Sequence, residues 1–267
     1  MNVPWRMVRS LFNKKEREVS ELTVAEGPSP VLEAISSKVQ LTMIVVSDGF
    51  RASDKWGEVQ KALVGYPVPV ETHIVQDSLY ERMSGTRSPQ GVLCVLPFPF
   101  MFHSIRPPSS WKRSLYVAGI DIQDPGNVGV LTRTAAAAGA SEMLFLGYSA
   151  DPYSPKCIRA SAGAVFTIPL RTHSDPVTAI SLLAQSGVRV YAAVPSGGIY
   201  PWEAEFTGDC GILLGNEGRG LRPETVLKLG EGLSVPMPGG IESLNVSAAS
   251  AMILYEAVRQ RMVTCLP

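Results

Sequence analysis

Arg133 is the residue whose surroundings most clearly suggest chemistry. It ends the stretch DIQDPGNVGVLTR at 121–133, in which Asn127 follows a Pro-Gly pair and is predicted to cap a helix over Val128–Ala138. At 100° per residue, Arg133 shares a helix face with glycine and alanine only, which leaves room for a ligand or a second backbone. A guanidinium stays protonated, so it can stabilise a developing oxyanion or hold a phosphate. Alone, Arg133 would more often be a surface arginine, but two later stretches favour a catalytic role.

Each of these two stretches comes directly after a short apolar run. GILLGNEGRGL at 211–221 places Glu217 in a loop, where a carboxylate near Arg133 could orient it through paired hydrogen bonds. VPMPGGIESLNV at 235–246 places Ser243 where it is predicted to cap a long final helix, with Asn245 on another face. By residue type alone, Glu217 is as often an exposed structural carboxylate, and Asn245 is more often a capping group.

Three glycines in the second stretch let the loop backbone approach a ligand closely: Gly215, Gly218 and Gly220. No Gly-Lys-Ser or Gly-Lys-Thr follows them, so this is not a Walker phosphate loop. Nor does a Gly-x-Gly-x-x-Gly follow a strand with an acidic residue about 20 positions further on, as dinucleotide-binding folds require. A nucleotide-binding α/β enzyme is a possible alternative that the sequence therefore disfavours.

After residue 114, strands alternate with helices, which predicts a mostly parallel sheet covered on both faces. The predicted strands are Leu115–Ile120, Glu142–Leu146, Val188–Val194, Gly211–Leu214 and Leu233–Val235, and the predicted helices are Val128–Ala138, Pro176–Gln185, Pro223–Leu229 and Ser243–Met262. Ligands bind such sheets beyond the carboxyl ends of the strands, and all three stretches fall there.

A smaller α/β domain is predicted over residues 1–97. Its predicted strands are Leu41–Val46 and Gly91–Leu96, with helices at Asp54–Val64 and Ser78–Met83 between them. The segment 98–113 is rich in proline, which continues neither helices nor strand ladders, so it is predicted to be a linker. The remaining residues, 114–267, form the second predicted domain.

The composition narrows the function classes. Lys plus Arg and Asp plus Glu number 24 each, so positive charge for a nucleic acid must be local, as in the basic segment 6–17. The four cysteines and three histidines are scattered, which predicts neither a metal site nor a disulfide framework. The sequence has no apolar run of membrane-spanning length and no signal-peptide pattern, which predicts a cytoplasmic protein without a membrane segment.

Together, the three stretches resemble the signature motifs of the SpoU or TrmH branch of the SPOUT RNA 2'-O-ribose methyltransferases. The resemblance implies an α/β catalytic domain with a deep trefoil knot. The first domain is similar to the L30e-like α/β substrate-binding domain of this family, in VRSLFNKKER at 8–17, in AEG at 25–27 and in MSGTRSPQG at 83–91. The resemblance further implies transfer of a methyl group from S-adenosylmethionine to a ribose hydroxyl of a structured RNA, without a metal.

The resemblance also assigns residues to roles. The catalytic group comprises Asn127, Arg133, Glu217, Ser243 and Asn245, with Arg133 next to the target ribose. The family's arginine is often described as the proton acceptor, which is the alternative to stabilising the 2'-oxygen. The backbone and apolar side chains that would hold S-adenosylmethionine belong to Leu214, Gly215, Val235, Pro236, Met237 and Leu244. KCIRASAGA at 156–164 also fits the family, so the candidate RNA contacts are Arg9, Lys14, Lys15, Lys156, Arg159 and Ser161.

Ribosomal RNA, most simply 23S rRNA, is the favoured substrate because an L30e-like domain suits a folded RNA element recognised by shape and backbone. Transfer RNA is the second choice. Members of the family that resemble this chain act as homodimers, with the final helix near the interface. A catalytically idle RNA-binding or ribosome-assembly protein with the same fold is the alternative from another class, and the intact catalytic group argues against it.

Overall fold

The computed structural model describes residues 4–97, 113–222 and 230–265. Contacts between residues divide the chain into two compact units. Unit 1 comprises Met1–Ser104 and Asp151–Thr167, and unit 2 comprises Ile105–Ala150 and Ile168–Pro267. The sequence assigned all of 114–267 to the second domain, whereas the contacts place Asp151–Thr167 in unit 1. Residues 98–112 of the predicted linker and the predicted helix Pro223–Leu229 lie outside the described residues.

Unit 1 is built on a four-stranded sheet in the order β1-β4-β2-β3. Strand β4 lies antiparallel to β1 and β2, and β3 lies parallel to β2. The strands are β1 (Leu22–Glu26), β2 (Met43–Ser47), β3 (Glu71–Val75) and β4 (Val92–Pro97), and the helices are α1 (Trp5–Ser10), α2 (Lys14–Ser20), α3 (Pro28–Ser36), α4 (Asp48–Arg51), α5 (Asp54–Val64), α6 (Asp77–Met83) and α8 (Pro155–Ala160).

Arg17 explains why the late segment Asp151–Thr167 belongs to unit 1. Its side chain is only 2% exposed, and its Nη2 donates to a carboxylate oxygen of Asp151 at 2.6 Å while its Nη1 donates to the Leu11 carbonyl. The Thr23 hydroxyl also donates to the Tyr153 carbonyl at 3.0 Å. A buried charge requires a partner, so this ion pair joins α2 to the late segment. The sequence placed Arg17 in a basic RNA-binding cluster, but the structure uses it inside the fold.

Unit 2 contains a six-stranded sheet in which every pairing is parallel, in the order β10-β8-β9-β5-β6-β7. This confirms the predicted α/β class with a mostly parallel sheet. The strands are β5 (Leu115–Ile120), β6 (Glu142–Leu146), β7 (Leu170–His173), β8 (Arg189–Ala193), β9 (Cys210–Leu214) and β10 (Glu231–Leu233), and the helices are α7 (Pro125–Ala137), α9 (Pro176–Gln185) and α10 (Val246–Cys265). The knot implied by the resemblance stays a prediction.

Arg261 anchors the final helix α10 to the sheet. The side chain is 3% exposed, and its guanidinium donates to the carbonyls of Phe206, Arg113, Ser114 and Gly208 at 2.6 to 3.0 Å. These carbonyls belong to the segments that lead into β5 and β9. Hydrogen bonds from a charged donor are stronger than neutral ones, so Arg261 fixes α10 beside the strands that carry the motifs. None of the described helices has the length and hydropathy of a membrane span.

Candidate active site

The three sequence motifs lie at the carboxyl ends of the strands in the sheet of unit 2, as the sequence predicted. They follow the carboxyl ends of β5, β9 and β10, which are parallel strands. A cavity of about 380 Å³ opens there, within the range typical of small-molecule sites. Its lining includes Leu214, Gly215, Asn216, Glu217, Val235, Met237, Ser243 and Leu244. The second and third motifs, which are far apart along the chain, therefore line one pocket, while no residue of the first motif is part of its lining.

Close backbone packing shapes the second motif. A side chain at Gly215 would begin 2.4 Å from the carbonyl carbon of Gly220 and 2.4 Å from the backbone nitrogen of Leu221. Only glycine allows the two sides of the loop to meet this closely. Gly220 itself has a φ of +63°, which favours glycine. The loop therefore folds back on itself and forms one wall of the cavity.

Asn216 fixes this loop to the first motif. Its side-chain nitrogen donates to the Asp121 carbonyl at 2.8 Å, and its side-chain oxygen accepts from the backbone N–H groups of Gly218 and Arg219. Asp121 has a φ of +56°, and its carboxylate accepts from the Tyr148 N–H at 2.8 Å. Because the Asn216 side chain forms hydrogen bonds both within its own loop and to the first motif, the loop has a well-defined conformation. The sequence analysis did not assign Asn216 a role.

Asn127 connects all three motifs. Its side-chain nitrogen donates to a carboxylate oxygen of Glu217 at 2.8 Å. Its side-chain oxygen accepts from the Asn245 amide and from the Ser247 hydroxyl, each at 3.3 Å. Because the amide nitrogen donates and the amide oxygen accepts, the Asn127 side chain is held in one orientation. The predicted grouping of Asn127, Glu217 and Asn245 thus appears as a hydrogen-bonded cluster, which we call the Asn127 cluster and which includes Ser247.

Two predicted helix caps are wrong by two or three residues. Helix α7 begins at Pro125, and its cap is Asp124, whose side chain accepts from the Gly126 N–H at 3.0 Å, so Asn127 is already inside the helix. Helix α10 begins at Val246, and Asn245 accepts from the N–H groups of Ser247 and Ala248. Ser243 therefore is not the cap, although it lines the cavity. A proline at the first helical position explains the earlier start of α7.

The predicted pairing of Glu217 with Arg133 is also wrong. Within residues 4–97, 113–222 and 230–265, the carboxylate of Glu217 accepts from Asn127, and Arg133 has neither an ion pair nor a hydrogen bond to a side chain. Arg133 is exposed on α7, whose buried face carries Val128, Leu131 and Thr132. An exposed guanidinium without a carboxylate partner is available to bind an anionic oxygen.

The candidate cofactor residues are mostly brought together. Leu214, Gly215, Val235, Met237 and Leu244 line the 380 Å³ cavity, while Pro236 lines an adjoining cavity of about 480 Å³. Apolar side chains can cover the faces of an adenine, and backbone polar groups can recognise its edge. The same cavity also contains the charged groups of Glu217 and Arg219. These residues fit a ligand that has an apolar-faced ring and a charged tail, such as S-adenosylmethionine.

The candidate RNA contacts of unit 1 differ in how accessible they are. Arg9, Lys14, Lys15 and Lys156 are exposed. Ser161 is wrong, because it is 1% exposed and its hydroxyl donates to the Ile158 carbonyl at 2.9 Å. Arg159 is half-buried, with its Nη1 3.7 Å from the carboxylate of Glu26, which is itself buried. Its guanidinium balances that buried charge, and its contact with RNA stays a prediction.

Cys94, Cys157 and Cys210 are buried. Burial raises the pKa of the Cys94 and Cys157 thiols to about 12, which leaves very little thiolate at neutral pH. Among the residues that the structure describes, no three His, Cys, Asp or Glu side chains form a group that could hold a metal ion.

Ser247 is a candidate positioning residue that was not among the predicted site residues. We expect Ser247→Ala to lower kcat about five-fold, the effect of one neutral hydrogen bond of about 1 kcal/mol, because the Asn127 amide loses a donor. The KM for S-adenosylmethionine should not change. Ser250→Ala is the matched control, since it removes a buried hydroxyl that donates to the Ser247 carbonyl in the same helix. Equal kcat values for the two variants would contradict the assignment.

Comparisons with known proteins place this site in a family. The model of the SpoU rRNA Methylase family matches residues 114–255, and that of the MRM3-like substrate binding domain matches residues 5–94. An uncharacterised tRNA/rRNA methyltransferase of Synechocystis is 30% identical over 198 residues, which cover 74% of this chain and 71% of that protein. The 23S rRNA (guanosine(2553)-2'-O)-methyltransferase RlmP of Bacillus subtilis is 28% identical over 248 residues, which cover 92% of each chain.

A solved structure is similar to this chain over nearly its whole length. The crystal structure of an AdoMet-bound rRNA methyltransferase from Sinorhizobium meliloti has a TM-score of 0.78 at 26% identity, and the match covers 97% of this chain and 95% of that one. The parallel sheet, the pocket and these likenesses define an RNA methyltransferase that uses S-adenosylmethionine. The chain belongs to the SpoU rRNA methylase family, and it carries an MRM3-like substrate binding domain before the catalytic domain.

Proposed function

We propose that this protein methylates the 2'-hydroxyl of a ribose in 23S rRNA. The observation that carries the proposal is the Asn127 cluster beside the 380 Å³ cavity, which joins all three motifs of the family into one site. The similarity to RlmP, which covers 92% of both chains, supports 23S rRNA as the substrate. An RNA-binding protein that had lost catalysis would not need to keep this cluster intact.

The pocket residues would hold and orient the methyl donor. Leu214, Val235 and Leu244 would cover its apolar faces, and the loop held by Asn216 would present backbone groups to its edges. When bound, S-adenosylmethionine supplies an electrophilic methyl group on a sulfonium. Aligning the ribose hydroxyl with that methyl group is then the main task of the protein.

Arg133 would act on the oxygen that accepts the methyl group. Its guanidinium stays protonated, so we assign it to stabilising the 2'-oxygen while the hydroxyl proton passes to water, or to holding the adjacent phosphate. Asn127 would keep Glu217 and the start of α10 in place around the pocket. Exposure of Arg133 on α7 is what this role requires, since the ribose belongs to a separate molecule.

The test is methyl transfer to defined RNA. The purified protein would be incubated with S-adenosylmethionine carrying a labelled methyl group and with protein-free 23S rRNA, 16S rRNA or bulk tRNA. We expect label in 23S rRNA, and alkaline hydrolysis should fail at the modified nucleotide because a 2'-O-methyl group blocks cleavage there. Label in tRNA alone would show that tRNA, and not 23S rRNA, is the substrate. No label in any RNA would contradict the proposed function.

The proposal includes a homodimer. Helix α10 exposes Ala251, Met252, Tyr255, Met262 and Val263 on one side, with Arg259 among them, and Tyr255 is 71% exposed. The resemblance places the final helix near the interface, and Ala248, Ala251 and Tyr255 on this helix are exposed in the protomer. A large apolar face on a soluble domain marks an interaction site, and a second copy is the commonest partner.

A charge in this face should separate the two copies. We expect Tyr255→Glu to raise the dimer dissociation constant at least about ten-fold, as loss of a buried aromatic anchor does. Analytical ultracentrifugation over a concentration series measures this. Leu182→Glu on α9 is the control, because Leu182 is also an exposed apolar residue of unit 2. A wild-type protein that sediments as a monomer at all concentrations would refute the dimer.

A further inference from the structure

Helices α1 and α6 of unit 1 carry a cluster of arginines around two aromatic rings. The guanidinium carbon of Arg82 lies 4.5 Å from the centre of the Trp5 ring, and that of Arg6 lies 5.4 Å from it. Arg9 lies 5.6 Å from the centre of the Phe12 ring. We call these five residues, Trp5, Arg6, Arg9, Phe12 and Arg82, the Trp5 surface.

The arginines of the Trp5 surface have no carboxylate partners within the part of the chain that the structure describes. Six other described arginines do: Arg17, Arg113, Arg159, Arg171, Arg189 and Arg259 each lie within 4 Å of an Asp or Glu oxygen. The three cations of the Trp5 surface therefore keep their full charge toward a ligand. In a chain with zero net charge, such a local excess is the electrostatic feature that anionic polymers recognise.

Packing holds the Trp5 surface in place. Trp5 and Phe12 rest against a buried cluster that includes Val8, Tyr80 and Met83. The Phe12 ring lies so close to Gly85 that a side chain there would begin 2.1 Å from the ring. Arg9 also donates to the Ser84 carbonyl. The arginines thus extend from an ordered platform, and little conformational entropy remains to be lost when a ligand binds.

We propose that the Trp5 surface binds an unpaired segment of the RNA substrate, with its arginines on phosphates and one base stacked on the tryptophan or on a guanidinium over it. This rests on the proposed function. Arginine pairs with phosphate through two hydrogen bonds, and both tryptophan and planar guanidinium groups stack on unpaired bases. Stacked bases and positive grooves are the usual means of binding single-stranded RNA. Trp5 and Arg82 were not among the RNA contacts predicted from the sequence, whereas Arg6 and Arg9 belong to the basic segment 6–17 that was.

The charge part of the inference is tested with matched double variants. Arg6→Gln/Arg82→Gln removes two cations of the Trp5 surface, and Arg51→Gln/Lys61→Gln removes two exposed cations of α4 and α5 in the same unit. Binding of protein-free 23S rRNA is measured from about 50 to about 300 mM salt. We expect the first double variant to bind about ten-fold more weakly and the slope of log Kd against log salt to fall by about 1.5, as two phosphate contacts require. The control should match the wild type.

The stacking part uses two substitutions of one residue. Trp5→Leu should weaken RNA binding by roughly five-fold or more, the usual effect of losing one stacked base, whereas Trp5→Phe should keep most of the affinity because it keeps an aromatic face. Thermal melting of both variants shows whether the fold is intact. If Trp5→Phe binds RNA more tightly than Trp5→Leu while the two variants melt at the same temperature, the loss in Trp5→Leu comes from stacking and not from packing.

The results distinguish this inference from the proposed function. Unchanged RNA affinity and salt slope in Arg6→Gln/Arg82→Gln, or an equal loss in both double variants, would overturn the Trp5 surface while wild-type methyl transfer still supports the enzyme. If wild-type protein transfers no methyl group, the proposed function fails, and the binding data still decide the role of the surface. Affinity for S-adenosylmethionine should be the same in all variants, because these residues belong to unit 1.

Discussion

Arg133→Ala should lower kcat by about 100- to 1000-fold, the usual effect of removing one group that stabilises an oxyanion. Arg133 is exposed and is not part of the lining of the 380 Å³ cavity, so the affinity for S-adenosylmethionine should stay within about two-fold of wild type. Single-turnover methyl transfer gives the rate, and calorimetry gives the affinity. The large effect on kcat and the small effect on the affinity for S-adenosylmethionine follow from the position of Arg133 outside the donor pocket.

Two controls sharpen this prediction. Arg133→Lys keeps the charge but loses the planar fork, so we expect an activity between those of wild type and Arg133→Ala. Thr134→Ala changes the neighbouring residue, whose hydroxyl donates to the Val130 carbonyl of the same helix at 2.9 Å, and it should be nearly silent. If Arg133→Ala loses donor affinity as strongly as it loses rate, the residue belongs to the donor pocket and its assigned role is wrong.

Gly215→Val should weaken binding of S-adenosylmethionine before it affects anything else. The new side chain would begin 2.4 Å from backbone atoms of Gly220 and Leu221. The two sides of the loop would have to move apart, which would open the cavity wall. Overpacking of this kind costs about 1–3 kcal/mol, which corresponds to about 5- to 150-fold in affinity. Calorimetric titration with S-adenosylmethionine measures the loss directly.

Gly218→Ala is the matched control for Gly215→Val. Gly218 lies in the same loop, but an added side chain there would meet only the Asn216 side-chain oxygen at 3.7 Å, an ordinary contact. We expect affinity close to that of wild type. Normal affinity in Gly215→Val would mean that the loop is not a wall of the donor pocket, and equal loss in both variants would point to general sensitivity of the loop.

The sequence predicted most of the sheet of unit 2 and the site at its edge. Apolar runs such as Leu115–Ile120 and Glu142–Leu146 became strands with the predicted bounds, because buried parallel strands leave a clear signal. Strand β7, Leu170–His173, was missed. It lies at the edge of the sheet, and its residues include Arg, Thr and His, so it has no apolar pattern to detect.

The details that the sequence could not give are those set by tertiary partners. Glu217 pairs with Asn127 rather than Arg133, a choice that depends on which side chains face each other once the strands are ordered. Ser161 looked like a surface serine beside Arg159, yet it is buried because its segment packs in unit 1. The two misplaced caps were errors of two or three residues between neighbouring polar candidates, a distinction that depends on backbone geometry.

The central claim is that the loops after β9 and β10 form one pocket for the methyl donor, and that Asn127, on the helix that follows β5, joins the two loops. A crystal structure of the protein with S-adenosylmethionine tests it most directly. We predict the donor in the 380 Å³ cavity, against Leu214, Val235 and Leu244, with the Asn127 cluster intact beside it. A donor bound at any other place, or three motifs that no longer meet when it is bound, would contradict the account.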